Sequence, residues 1–236
     1  MSHTFAESVT KTSEPATALV TPFTLWTVFK RTGPSTAGKG AVAAFEALVA
    51  SLAQEHITLR GAYDVSAMRS DADVMIWLVG PKPEGLQQAV RSIRRTELFA
   101  NAEIAWSAMG VHREAEFAKS HAPSYMGPNE PKSWVCVYPF VRSYDWYILP
   151  AEDRSRMLRD HGMLGREYPQ VLANTVSAFA LGDWEWLLGL EADELTDLVD
   201  MMRSLRGTDA RLHVRDEIPF YTGRRIDAAE VAEVLK

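Results

Sequence analysis

One order of elements is written twice along this chain, and that repetition constrains the fold more than any single motif. In the first half, Pro22–Arg31 reads as a strand, and Lys39–His56 as a helix with Phe45, Leu48, Val49 and Leu52 on one stripe. Ile57–Val65 and Val74–Gly80 read as strands around an SDAD turn, Glu84–Arg95 as a helix with Leu86, Val90 and Ile93 inward, and Ala102–Gly110 as a strand. The second half repeats this as strand 134–148, helix 151–161, strands 172–181 and 185–191, helix 193–205 and strand 211–221, with a tail helix 228–235. This is β-α-β-β-α-β twice, the ferredoxin-like order of an α+β protein. A shift of about 112 residues superposes Leu86, Val90 and Ile93 on Leu198, Met202 and Leu205, and Arg94 and Thr96 on Arg206 and Thr208. Neither four-stranded sheet can leave its apolar face in water, so two sheets facing each other are the natural solution.

The expected organisation is an N-terminal arm, 1–21, and a single domain, 22–236. The domain divides into repeat 1 (about 22–112), a connector (113–132), repeat 2 (about 133–223) and the tail helix. The connector holds Pro123, Gly127, Pro128 and Pro131, which oppose regular structure. A loop of that length is usually functional or disordered.

Composition excludes several function classes. At 47% hydrophobic and 24% charged the chain reads as globular, and a net charge of −6 gives no electrostatic footprint for nucleic acid. Cys136 is the sole cysteine, which excludes intramolecular disulfides and cysteine-rich zinc sites. No apolar run approaches a membrane span, and the arm lacks the basic start and apolar centre of a secretory signal, so a cytoplasmic protein is expected.

The stretch Trp134–Gly162 concentrates the chemistry. Tyr138, Arg142 and Trp146 differ by even numbers, so on an extended strand they share one face. Oxidisable rings beside a cation, with His161 on the following helix, suit redox chemistry on an anionic cofactor. An amphipathic aromatic strand on an ordinary core has the same pattern. Pro139 removes a ladder donor and points to an edge or a bulge. His161 shares an apolar helical stripe with Met157 and Leu158, and Gly162 follows at a natural helix end. A histidine there equally suits helix carbonyls and the C-terminal dipole.

Three segments together resemble the coproheme decarboxylases, a branch of the chlorite dismutase-like haem proteins. They are WVCVYPFVRSYDWY (134–147), RDHGMLGREYPQVLANTVSAFALGDWEW (159–186) and RLHVRDEIPFYTG (211–223). The resemblance implies a subunit built as a dimeric α+β barrel, commonly in rings of five. It implies peroxide-dependent oxidative decarboxylation of two propionates of iron-coproporphyrin III, which is both substrate and redox cofactor and becomes haem b. By the same resemblance His161 is the proximal iron ligand, Tyr138 the radical-forming catalytic tyrosine, and His121 in the connector the distal base. Arg142 and Arg211 would hold propionates, and Trp146 would lie near the second reactive one. Hydrogen peroxide and coproheme are the implied small-molecule partners, with a ferrochelatase or haem acceptor as a transient protein contact. Chlorite dismutases proper carry a distal arginine a short way beyond the proximal histidine. Here that neighbourhood reads Leu172, Ala173, Asn174, which disfavours chlorite splitting. A haem peroxidase acting on external substrates, a haem-delivery protein without turnover and a ferredoxin-like barrel without haem are the rival readings.

Overall fold

The computed structural model describes residues 22–113 and 122–236, so the arm and His121 lie outside the described residues. The first half runs β1 (Phe23–Arg31), α1 (Ala41–Leu52), β2 (Thr58–Asp64), β3 (Val74–Gly80), α2 (Pro83–Arg94) and β4 (Ala102–Val111). The second runs β5 (Trp134–Arg142), α3 (Ala151–Gly165), β6 (Leu172–Ser177), β7 (Trp186–Ala192), α4 (Leu195–Leu205), β8 (Val214–Asp216), β9 (Tyr221–Ile226) and α5 (Ala228–Val234). Local chemistry supports these elements. Pro83 sits at the start of α2, where its missing N–H is harmless, and Arg91 and Arg94 meet the negative end of that helix. Asp227 and Glu230 form a reciprocal capping box on α5.

Each half is an antiparallel sheet in ferredoxin-like order, β4-β1-β3-β2 and β6-β7-β5-β9. The sheets join along two seams. β2 pairs with β9 through Ala62↔Ile226, Tyr63↔Arg225 and Asp64↔Arg224, and β4 meets β6 at Val111↔Ser177. Eight strands therefore pair in a closed ring, with β8 attached to the end of β5.

Strand alternation sends one face inward and one toward the helices. Trp26, Tyr63, Trp77, Val135, Val137 and Leu187 fill the space between the sheets. Phe29, Ile76 and Leu78 pack outward on Phe45, Leu86 and Ile93 of α1 and α2. Cys136 and Tyr138 pack outward in the second half, against Leu190, Leu198 and Met201. Burial pushes the free Cys136 thiol up to about 11. A bulge between Leu59 and Gly61 leaves Arg60 without a partner on β3. Its guanidinium reaches across to β7, where Nη2 lies 2.8 Å from Glu191 Oε1, and both residues are buried. No helix among the described residues is long and apolar enough to cross a membrane.

Four expected boundaries shift. The strand expected over 134–148 ends at Arg142, because the ladder to β8 slips at Val141/Arg142 and a Ser143–Asp145 side-chain bond starts a turn. Trp146 therefore stands on a short 3₁₀ helix, Trp146–Ile148, and not on the strand. Helix α3 continues past His161 to Gly165, since nothing crowds Gly162 and the backbone bonds carry on to Arg166. The strand expected over 172–181 stops at Ser177, ahead of the left-handed Ala180. The one expected over 211–221 divides into a 3₁₀ helix (Asp209–His213), β8 and β9, with the donor-less Pro219 in the gap.

Candidate functional site

The candidate residues lie on the helix-facing side of the second sheet. Tyr138 is 7% exposed in β5, its ring stacked on Phe220 at 4.4 Å. Its hydroxyl donates to Met202 Sδ at 3.5 Å, the one hydrogen bond it makes among the described residues. Burial holds the phenol well above its ordinary range; Cys136 and Glu217 add to this, while Arg206 and Arg211 oppose it. Pro139 pairs with Leu187 on one side, and on the other it falls between the end of the β9 ladder at Val137 and the start of the β8 ladder at Val141. Its missing N–H thus falls in a gap, which is the irregularity its position suggests.

Arg142 closes β5 with its backbone N–H bonded to Glu185 Oε2 at 2.8 Å. The guanidinium carbon sits 4.2 Å over the Trp146 ring and 4.9 Å over Phe140. Among the described residues the guanidinium has one hydrogen bond, Nη1 to Ala210 O at 3.4 Å, and no carboxylate forms an ion pair with it. Burial lowers it to about 10, so it remains a cation at neutral pH. Trp146 is 4% exposed and packs with Met157 of α3 and Ala210. His213 lies 5.4 Å from the Trp146 ring and bonds Ser143 Oγ at 3.0 Å.

His161 projects from α3 toward the turn after α4, with Nδ1 3.1 Å from Thr208 Oγ1. Burial depresses its protonation, and the nearby Arg142 cation adds to the effect. Arg211 is not at the opening of a strand but in the 3₁₀ helix 209–213. Its Nη1 lies 3.0 Å from Glu217 Oε2 without hydrogen-bond geometry. Arg206 grips the same carboxylate at 2.8 Å. Two cations around one carboxylate leave a positive excess beside Tyr138.

Sequence reasoning missed Thr208, Glu217, Met202 and Phe220. Thr208 was within reach, because the repeat superposition sets it on Thr96. The other three are brought in by tertiary packing alone. Asn174 is fully buried and bonded to Glu191 Oε1, Gly189 O and Tyr125 N, so it serves the inter-sheet network. Cavities of about 760 and 420 Å³ lie elsewhere, one beside α1, β2 and α5, the other beside the connector.

The donor set decides what could bind. Among the described residues no three His, Cys, Asp or Glu side chains gather to hold a metal. A lone imidazole would suit an iron whose other donors come with a porphyrin. Arg142, with no carboxylate ion pair among the described residues, suits an anionic substituent on it. The residues therefore fit an anionic iron porphyrin.

The chlorite dismutase family model matches residues 38–226, and the chain belongs to that family. Within it, the chain is 51% identical over 180 residues to coproheme decarboxylase of Mycolicibacterium smegmatis, covering 76% of this chain and 78% of that protein. It is 22% identical over 191 residues to coproheme decarboxylase of Staphylococcus carnosus, covering 74% and 76% respectively. Among solved structures, a chlorite dismutase variant from Candidatus Nitrospira defluvii superposes with a TM-score of 0.80 at 18% identity, over 92% of this chain and 96% of that one, a likeness of fold.

Proposed function

We propose that this protein is a peroxide-dependent coproheme decarboxylase, converting two propionates of iron-coproporphyrin III to vinyl groups and so making haem b. One observation carries the reading. Three polar groups on the helix-facing side of the second half keep bonding capacity to spare among the described residues: the buried Tyr138 hydroxyl, bonded to a sulfur, the half-buried Arg142 guanidinium, with one hydrogen bond, and the half-buried His161 imidazole, bonded through Nδ1. An imidazole nitrogen, a guanidinium and a hydroxyl with unused bonding capacity suit a ligand with a metal and several carboxylates. The identity to the Mycolicibacterium smegmatis enzyme supports the same substrate.

The substrate supplies the iron and, with peroxide, the oxidising power. His161 presents an imidazole nitrogen to the metal, and His121 takes the proton from peroxide. Arg142 and Arg211 pair with propionates, with Trp146 packed under Arg142 near the second one. Tyr138 loses its hydroxyl hydrogen and then takes a hydrogen from the propionate side chain, ending unchanged. Each propionate, with one peroxide and one proton, becomes a vinyl group, carbon dioxide and two waters. Assembly into a pentameric ring, a cytoplasmic setting and hand-over to a ferrochelatase or haem acceptor belong to the same proposal.

Anaerobic reconstitution with iron-coproporphyrin III, titration with peroxide and mass analysis of the porphyrin tests the reading. Stepwise appearance of one- and two-vinyl products is expected. Binding without new products would favour a haem-delivery protein, and oxidation of added phenols in their place would favour a peroxidase.

A further inference from the structure

We propose that Thr208 is a positioning residue that holds His161 as the Nδ1–H tautomer, leaving Nε2 as the nitrogen that meets the iron. The ligand part of this rests on the coproheme reading; the tautomer part does not.

Counting protons leads to the assignment. A threonine hydroxyl has one hydrogen and two lone pairs. Thr208 Oγ1 lies 3.0 Å from Leu205 O and 3.1 Å from His161 Nδ1. A carbonyl can only accept, so the single hydrogen goes to Leu205. Oγ1 then meets the imidazole with a lone pair, and Nδ1 must donate. A neutral imidazole carrying its proton on Nδ1 has its free lone pair on Nε2.

The first half of the chain supplies an internal control. Leu205 ends α4, and its carbonyl is one of those a helix leaves without an internal donor. Under the shift of about 112 residues Thr208 corresponds to Thr96, whose hydroxyl donates to Ile93 O at 2.7 Å, the same three-residue span. His161 corresponds to Val49. The helix-end bond therefore forms in a half that has valine in place of the equivalent histidine, so the direction of the hydroxyl is set by the fold before His161 is added.

The partner's chemistry matters as much as its direction. A hydroxyl oxygen is a neutral acceptor and keeps the ring a neutral imidazole, whereas a carboxylate would draw it toward imidazolate. Glu217, a carboxylate on a neighbouring segment, is engaged by Arg206 and Arg211.

The test uses full-length protein labelled with ¹⁵N-histidine. In the porphyrin-free wild type, long-range ¹H–¹⁵N correlations should show His161 as Nδ1–H. Thr208→Val should mix or reverse the tautomers, Thr208→Ser should restore them, and Thr96→Val should leave His161 unchanged although it breaks the equivalent bond. With ferrous coproporphyrin, the iron–histidine stretch in resonance Raman should fall in Thr208→Val and recover in Thr208→Ser. Ferric coproporphyrin affinity should drop roughly 10-fold or more in Thr208→Val. An Nε2–H tautomer in the wild type overturns the proposal, and does so even if Thr208→Val fails to fold. A tautomer and stretch unmoved by Thr208→Val overturn it too. The Nδ1–H tautomer with no iron–histidine stretch would keep the tautomer assignment and overturn the ligand role.

Discussion

The Tyr138 hydroxyl is the most consequential single group. Its bonded neighbour is a thioether sulfur, a weak acceptor that cannot take a proton. Because burial keeps the phenol protonated at neutral pH, the proposed oxidation of Tyr138 would remove a proton together with the electron, and the substrate would supply the acceptor. Tyr138→Phe keeps the stack on Phe220, so it should bind coproheme as wild type does and react with peroxide, yet yield no vinyl product by mass analysis. In the same proposal Arg142 has the complementary role. Arg142→Ala should weaken coproheme by about 1–3 kcal/mol more than haem b, which has two fewer carboxylates, in parallel porphyrin titrations. His161 makes a prediction about the porphyrin-free protein. Its folded-state pKa lies below the ordinary value, so between the two values the unfolded chain binds more protons. Its contribution to stability is complete above about pH 6.5 and declines as pH falls below it. Urea unfolding at pH 7.5 and pH 5 should show wild type losing more stability on acidification than His161→Gln.

At the scale of elements, the second half shows what an aromatic-rich strand can and cannot announce. The inward and outward faces of β5 follow from alternation, so Tyr138 and Arg142 were correctly expected on one side. Trp146 was not, because the strand ends at a register slip imposed by β8, which no local pattern encodes. Even so, Trp146 comes back under Arg142 by a different route, through the 3₁₀ turn. The bulge on β2 is a similar case. It turns Arg60 inward, where Glu191 of β7 and the Trp77 ring receive it. Breaking a buried pair strands a charge, so Glu191→Ala should cost about 3–5 kcal/mol in denaturant unfolding. The double variant Arg60→Met/Glu191→Leu should be markedly milder, and a double variant as damaging as the single one would contradict this account.

At the scale of the whole molecule, ring closure depends on two close backbone approaches, each at a seam between the sheets. A side chain on Gly110 of β4 would collide with Val176 of β6, and one on Gly223 of β9 would meet Asp64 O of β2 at 2.7 Å. Gly110→Ala and Gly223→Ala should each destabilise by about 1–3 kcal/mol in thermal or urea unfolding. Gly223→Ala should be the worse, because a backbone carbonyl in a ladder cannot swing aside as a valine methyl can.

Element order and the alternation of faces follow from local patterns that repeat every two or three to four residues, and the duplication is that order met again about 112 residues on, so all three were readable from the chain itself. So was the YPFVR…RDHG grouping that nominated Tyr138, Arg142 and His161. What joins those residues into a candidate site is contact across long stretches of chain. His161 and Thr208 are 47 residues apart, and Arg60 and Glu191 are 131 apart. Periodicity carries no record of which distant segment supplies a partner. Only the pairing of the two sheets and the docking of α3 against the end of α4 decided that Thr208 would receive His161, that Arg211 would share Glu217 with Arg206, and that the Tyr138 hydroxyl would meet the sulfur of Met202.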